Sequence, residues 1–179
     1  MCGISGYFGR RQITSDVING TLNLMKNRGP NFSNHYNKKF ESGLSIYLLH
    51  TRLSIIDLNE RSNQPFIDEN YILIFNGEIY NYIELKKNLE AKGIYPKTKS
   101  DTEILLMYYK IYGEKCVNFF DGMWSFIIFN KKNEKLFASR DMFGEKPLYY
   151  YQDYDGLYFG SETKFIKKLS QKNFEINSK

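Results

Sequence analysis

The chain has 179 residues, 42% hydrophobic and 25% charged, with 25 Lys and Arg against 20 Asp and Glu for a net charge of +5. That length suits one domain with a continuous core, and the composition excludes disorder and low-complexity scaffolding. The lysines fall in scattered pairs, among them Lys38-Lys39, Lys86-Lys87, Lys131-Lys132 and Lys167-Lys168, rather than in one stripe, so no nucleic-acid partner is expected.

The longest apolar runs, 71–75 and 126–129, are strand-sized and far short of the roughly 18 residues of a membrane helix, so no membrane partner is expected. Gly3, Ser5, Gly6, Gly9 and Arg10 interrupt the N-terminus where a secretory signal needs an apolar run, and a Cys rather than a Gly at position 2 excludes myristoylation. Cys2 and Cys116 show neither a metal-ligand spacing nor a disulfide framework; no metal is expected, and the location is read as cytoplasmic.

In chain order, 3–9 reads as a strand, and the spacing of Val17, Ile18, Leu22 and Met25 as a helix capped by Ser15 and stopped at Arg28-Gly29-Pro30. Residues 44–49 and 53–57 read as two strands, and 71–75 as a third running into Asn76-Gly77, the strongest turn signal in the chain. A helix over 82–92 starts at an Asn81/Glu84 capping box and ends at Gly93; another starts at Ser100/Glu103 and runs to about 112. A short helical piece over 114–120 holds Cys116 as inert core, and strands follow at 123–130, 135–140, 148–152 and 157–161. Strands in blocks with helices between them predict an α+β fold of stacked, largely antiparallel sheets with helices outside. The polar tail from Ser170 to Lys179 reads as the start of a linker to a further domain.

A Cys at position 2 is small enough for Met1 to be trimmed from it, leaving a thiol and a primary amine on one residue. The thiolate is the reactive form, and an α-amine with an ordinary pKa of roughly 7.7–8.0 is an adequate base for a thiol near 8.5. A Cys–His arrangement would have to draw on His35 or His50, the only histidines, and neither has an accompanying carboxylate constellation. On its own, Met-Cys-Gly is equally compatible with a buried thiol in an N-terminal strand.

The pattern becomes specific through ordered blocks: Cys2-Gly3-Ile4-Ser5-Gly6, Arg28-Gly29-Pro30, Arg52-Leu53-Ser54-Ile55-Ile56-Asp57, Asn76-Gly77-Glu78-Ile79-Tyr80-Asn81, Ser100-Asp101-Thr102-Glu103, Phe120-Asp121-Gly122-Met123 and Arg140-Asp141 through Gly144 to Pro147-Leu148-Tyr149-Tyr150. In order and spacing they resemble glutamine-hydrolysing asparagine synthetases over residues 2–168, with the glucosamine-phosphate and purine-pathway amidotransferases as the nearest alternative. The resemblance implies an N-terminal nucleophile hydrolase fold, a four-layer αββα sandwich. It implies a glutaminase domain over 1–168, with 169–179 leading to an absent C-terminal synthetase domain on the same longer chain or a separate subunit.

The same resemblance assigns Cys2 as nucleophile and Asn76 and Gly77 as oxyanion donors. It places L-glutamine against Arg52, Leu53, Ser54, Ile55, Ile56, Glu78 and Asp101. Locally, Asn76-Gly77 equally suits a hairpin turn and Asp101 a helix cap. No cofactor is implied for this domain, ATP and Mg being expected only in the synthetase domain, and a homodimer is allowed. The ammonia acceptor stays open between aspartate and another carboxylate such as a sugar acid. A glutamine-binding module without chemistry would follow if Met1 were retained. One departure stands out: the family often reads His-Arg-Gly-Pro-Asp where this chain has Asn27 and Asn31 at the two ends, which points to a different ordering of the loop over the site.

Overall fold

A computed structural model of the chain describes residues 1–174. Its first sheet is antiparallel in the order β2 (Phe32–Lys39), β3 (Ser45–Arg52), β1 (Gly3–Gly9), β9 (Gly156–Gly160), β8 (Tyr149–Gln152). The second, also antiparallel, runs β4 (Phe66–Ile67), β5 (Tyr71–Ile79), β6 (Gly122–Asn130), β7 (Lys135–Arg140). Helices α1 (Ser15–Met25) and α4 (Thr163–Ser170) accompany the first sheet, α2 (Tyr82–Glu90) and α3 (Asp101–Tyr112) the second.

Strand alternation explains the layers, because successive side chains point to opposite faces. In β3, Ile46 and Leu48 meet Ile4 of β1, Ile72 and Ile74 of β5, and Ile127 and Phe129 of β6 between the sheets. Tyr47 and Leu49 point the other way, onto Val17, Leu22, Phe165 and Leu169 of α1 and α4. In β5, Leu73 and Phe75 likewise turn outward onto Leu85, Leu89 and Leu105 of α2 and α3. Both faces of each sheet are therefore covered, and β3 is buried at every position. Truncating a filled layer residue such as Leu105 to Ala costs about 2–5 kcal/mol at such sites. The arrangement is the expected four-layer αββα sandwich.

Several local expectations are corrected. Residues 53–57 do not form a strand: Arg52 donates to the carbonyls of Ile56, Asp57 and Asn59, which curls the chain away from the sheet and leaves Ile55 exposed. Asn76-Gly77 is not a turn but lies within β5, opposite Ser125 and Trp124. The polar strand β2 has no apolar alternation to announce it; its pairing with β3 is carried by the backbone. The cap of α1 is Thr14 rather than Ser15, and Asn81 bridges the Phe119 carbonyl and the Asp121 N–H instead of closing a capping box. Ser100 does cap α3 by accepting from Thr102 N–H at 3.2 Å, but Glu103 accepts from Lys97 and Thr98 instead.

The Cys116 thiol is buried, as expected, and that burial pushes its pKa up to about 12. Leu169 and Ser170, assigned to the tail, are buried at the end of α4, and residues 175–179 of that tail lie outside the described residues.

Candidate active site

The layer between the sheets is apolar along its length and polar at one end. Stepping by two along the strands, Ile4 leads back to Cys2, Leu48 leads on to His50 and Arg52, and Ile74 leads on to Asn76 and Glu78. A pocket of about 130 Å³ opens there, lined by Cys2, Arg52, Leu53, Ile55, Ile56, Asn76, Gly77, Glu78 and Asp101. Of the expected substrate residues, Ser54 alone is not in the lining; its N–H is turned to Asn31 Oδ1 at 3.0 Å. Asn31, one of the two positions that depart from the motif of the resembled family, thus anchors the loop after β3.

Cys2 is fixed from three directions. Its Sγ accepts from Leu53 N–H at 3.4 Å, and its S–H faces the Leu53 carbonyl at 3.7 Å. Arg28 Nε donates to the Cys2 carbonyl at 2.9 Å while its Nη1 pairs with Glu162 at 3.1 Å. The Arg-Gly-Pro block makes this reach possible: a Cβ on Gly29 would lie 2.3 Å from the Thr51 carbonyl, so only glycine lets the loop press onto β3. Burial raises the thiol pKa, opposed by the Leu53 N–H, the terminal ammonium and the Arg52 charge. With Met1 in place the nitrogen of Cys2 is a peptide amide, and the Met1 side chain joins the pocket wall, its Sδ accepting from Lys146 Nζ at 3.3 Å.

Asn76 is 1% exposed, and its Nδ2 meets no acceptor among the described residues. A buried donor left unpaired costs about 1–3 kcal/mol, so this amide is a hydrogen-bond donor aimed at something the fold does not supply. Gly77 follows from strand geometry. Phe75 N–H donates to Gln64 Oε1 at 2.6 Å and Ile79 N–H to Asp101 Oδ2 at 3.1 Å, both on the edge of β5 away from β6. Alternation directs the Gly77 N–H to that same edge, between them. A Cβ on Gly77 would lie 2.2 Å from the Met123 carbonyl, so the Asn-Gly pair reflects close strand approach.

Arg52 is 5% exposed and already employed: Nη1 donates to Asn59 O and Asn63 Oδ1, Nη2 to Ile56 O and Asp57 O. Asp101 opens α3, and burial raises its carboxyl to about 6 against the lowering pull of the Ile79 and Thr102 N–H groups, with Glu78 adding to the rise. One guanidinium and two carboxylates thus share the lining.

His50 forms no pair with the thiol. It is fully buried, its Nε2 donates to the Phe75 carbonyl at 3.2 Å, and burial pushes its pKa down to about 3. His35 lies on β2, away from the pocket lining. Sequence reasoning missed Gln64, Thr102 and Lys146, which also line the pocket. Lys146 had a signal in the Arg140-Asp141 block: the Asp141 carboxylate accepts from Trp124, Phe143, Glu145 and Lys146 N–H groups, folding the loop that carries Lys146 inward. Burial opposes ionisation of Asp141, yet these N–H groups together hold its pKa below the usual value. Among the described residues no group of three His, Cys, Asp or Glu could hold a metal, and no helix is long and apolar enough to cross a membrane.

A family model described as a glutamine amidotransferase domain matches residues 1–179. A putative glutamine-hydrolysing asparagine synthetase 2 of Methanocaldococcus jannaschii is 40% identical, covering 99% of this chain and 37% of the relative. Glutamine-hydrolysing asparagine synthetase 1 of Bacillus subtilis is also 40% identical, covering 99% of this chain and 28% of the relative. The chain therefore spans about a third of the length of these curated relatives. Among solved structures, the glutamine phosphoribosylpyrophosphate amidotransferase of Bacillus subtilis aligns with a TM-score of 0.74 at 18% identity, over 94% of this chain and 44% of that one. That likeness shows the fold alone, the four-layer αββα sandwich.

Proposed function

The chain belongs to the glutamine amidotransferase domain family, and from that premise we propose that it hydrolyses L-glutamine to L-glutamate and ammonia through a thioester on Cys2. The observation that carries the reading is the buried, unpartnered Nδ2 of Asn76 in the same pocket as the Cys2 thiol.

Once Met1 is removed, the α-amine of Cys2 takes the thiol proton and the thiolate attacks the side-chain carbonyl carbon of glutamine. The carbonyl electron pair moves onto oxygen, and the new oxyanion accepts from Asn76 Nδ2 and Gly77 N–H, each such donor supplying about 3–4 kcal/mol at the transition state. The tetrahedral adduct collapses, and the amide nitrogen leaves as ammonia with the proton returned from the α-ammonium. Water then attacks the thioester, giving its proton to the α-amine, and a second oxyanion collapses to release glutamate and the Cys2 thiol.

Arg52 takes the substrate α-carboxylate by exchanging loop oxygens for carboxylate oxygens in the same fork, and Asp101 with Glu78 takes the α-ammonium. No cofactor is called on in this domain. The relatives are named asparagine synthetases, which supports passage of the ammonia to a synthetase domain; we infer that ATP and Mg serve there in amidating aspartate or another carboxylate. Two free cysteines suit a reducing compartment, and the domain is assigned to the cytoplasm. With Met1 attached, the chain is the inactive precursor.

Glutamate release by the Met1-free chain, compared with the Met1-bearing chain and Cys2→Ala, tests this reading. Release by the first alone is expected; equal release by all three would refute it.

A further inference from the structure

Beyond Leu73 the outer edge of β5 has no strand beside it among the described residues, where β4 pairs only through Phe66 and Ile67. Extending that register places Gln64 opposite Phe75, but Pro65, which has no N–H, stands between Gln64 and the strand. Side chains take over the backbone's unmet bonds. Gln64 Oε1 accepts from Phe75 N–H at 2.6 Å, and its Nε2 leans on Thr102 Oγ1 at 3.4 Å. His50, reaching across from the other sheet, donates from Nε2 to the Phe75 carbonyl at 3.2 Å. Both side chains are buried, Gln64 at 5% and His50 at 0% exposure.

A carbonyl can only accept, so the His50 proton is on Nε2, and it is Nδ1, with its lone pair, that has no partner among the described residues. A protonated ring would instead bury a second unpaired N–H and a charge near Arg52. Burial and that charge both oppose protonation, so His50 stays a neutral donor where thiol chemistry runs.

The bonded peptide groups immediately precede Asn76 and Gly77. Resting on the glutaminase reading, we propose that His50 and Gln64 are positioning residues that replace the missing strand neighbour, holding the Phe75 backbone by its N–H and its carbonyl so that Asn76 Nδ2 and Gly77 N–H converge on one point. The gap in the sheet frees the Gly77 N–H for a ligand, and these two side chains keep that edge in place.

The test uses the Met1-free chain and two readouts. His50→Leu should lower kcat about 10–100-fold, as about 1 Å of misplacement does, with KM within about threefold. His50→Gln, whose amide nitrogen lies where the imidazole Nε2 does, should restore most of the loss, and alkylation of Cys2 by iodoacetamide should stay at the parent rate in both. In the nitrogen-15-labelled chain, the Gly77 amide and Asn76 side-chain resonances should shift in His50→Leu and return in His50→Gln. Gln64→Met, which removes the acceptor for Phe75 N–H, should act in the same direction and serves if His50→Leu does not fold. Unmoved resonances, an unchanged kcat, or a His50→Gln chain no better than His50→Leu would overturn the proposal. Failure of the parent Met1-free chain to release glutamate would count against the glutaminase reading alone, since the resonances still report positioning.

Discussion

Arg28 donates from Nε to the Cys2 carbonyl across 2.9 Å, tying the loop after α1 to the residue that precedes β1. Its other arm is held by Glu162, which also pairs with Lys164 at 2.7 Å, so two segments distant in sequence, around Arg28 and around Glu162, fix the backbone of Cys2. Arg28→Gln is expected to lower kcat about 10–100-fold with a small change in KM, because the thiol loses its orientation rather than its acidity. Steady-state glutamate release checks this; an unchanged kcat would make Arg28 a purely structural clasp.

Asn76→Ala removes the unpartnered donor and should cost about 10²–10³ in kcat while leaving KM nearly constant. Because the lost N–H was unsatisfied in the free protein, its removal relieves about 1–3 kcal/mol that offsets the cavity left behind. The variant should therefore melt close to the parent. A large drop in melting temperature would show that the amide has a structural partner.

Arg52→Lys should raise the glutamine KM and loosen the loop that follows β3, since an ammonium cannot reproduce four guanidinium bonds to residues 56–63. Limited proteolysis after Arg61 should accelerate in parallel. An unaffected KM with faster proteolysis would confine Arg52 to clasping the loop.

The Asp101 carboxyl, raised to about 6, gives a pH signature with a definite sign. Between about pH 4 and 6 the folded chain keeps a proton that the unfolded chain has lost, so stability falls as pH rises through that window and the cost is complete above about 6. Glutamine binding runs the other way, because its ammonium needs the ionised carboxylate: KM should climb as pH falls below about 6. Asp101→Asn should abolish this stability slope in thermal melts and raise KM about 10–100-fold, in line with the loss of a charge-assisted hydrogen bond. A parent KM that is flat from pH 5 to 7 would contradict the assignment.

The elements with clear periodicity, such as α1, α3 and β6, are legible from the sequence, as is the layering, which the blocks of strands with helices between them announce. The polar edge strand β2 is not, because backbone pairing to β3 holds it and leaves no apolar signature. Asn76-Gly77 misled locally for a physical reason: glycine serves tight turns and close strand approach alike, and here Met123 sits where a Cβ would go. Residues 53–57 read as a strand from composition, but the buried Arg52 fork bends them off the sheet. The expected residues that line the pocket came from ordered blocks, whereas Gln64 and His50 bond the backbone of one residue, Phe75, a contact that no spacing rule reveals.

The central claim, that Cys2 is the nucleophile and needs its α-amine free, is tested most directly by intact-mass and peptide-mass analysis after exposure to a glutamine analogue bearing a diazoketone in place of the amide. One adduct is expected, on Cys2, in the Met1-free chain and none in the Met1-bearing chain or Cys2→Ala. Equal labelling with Met1 attached, or an adduct on Cys116, would contradict it.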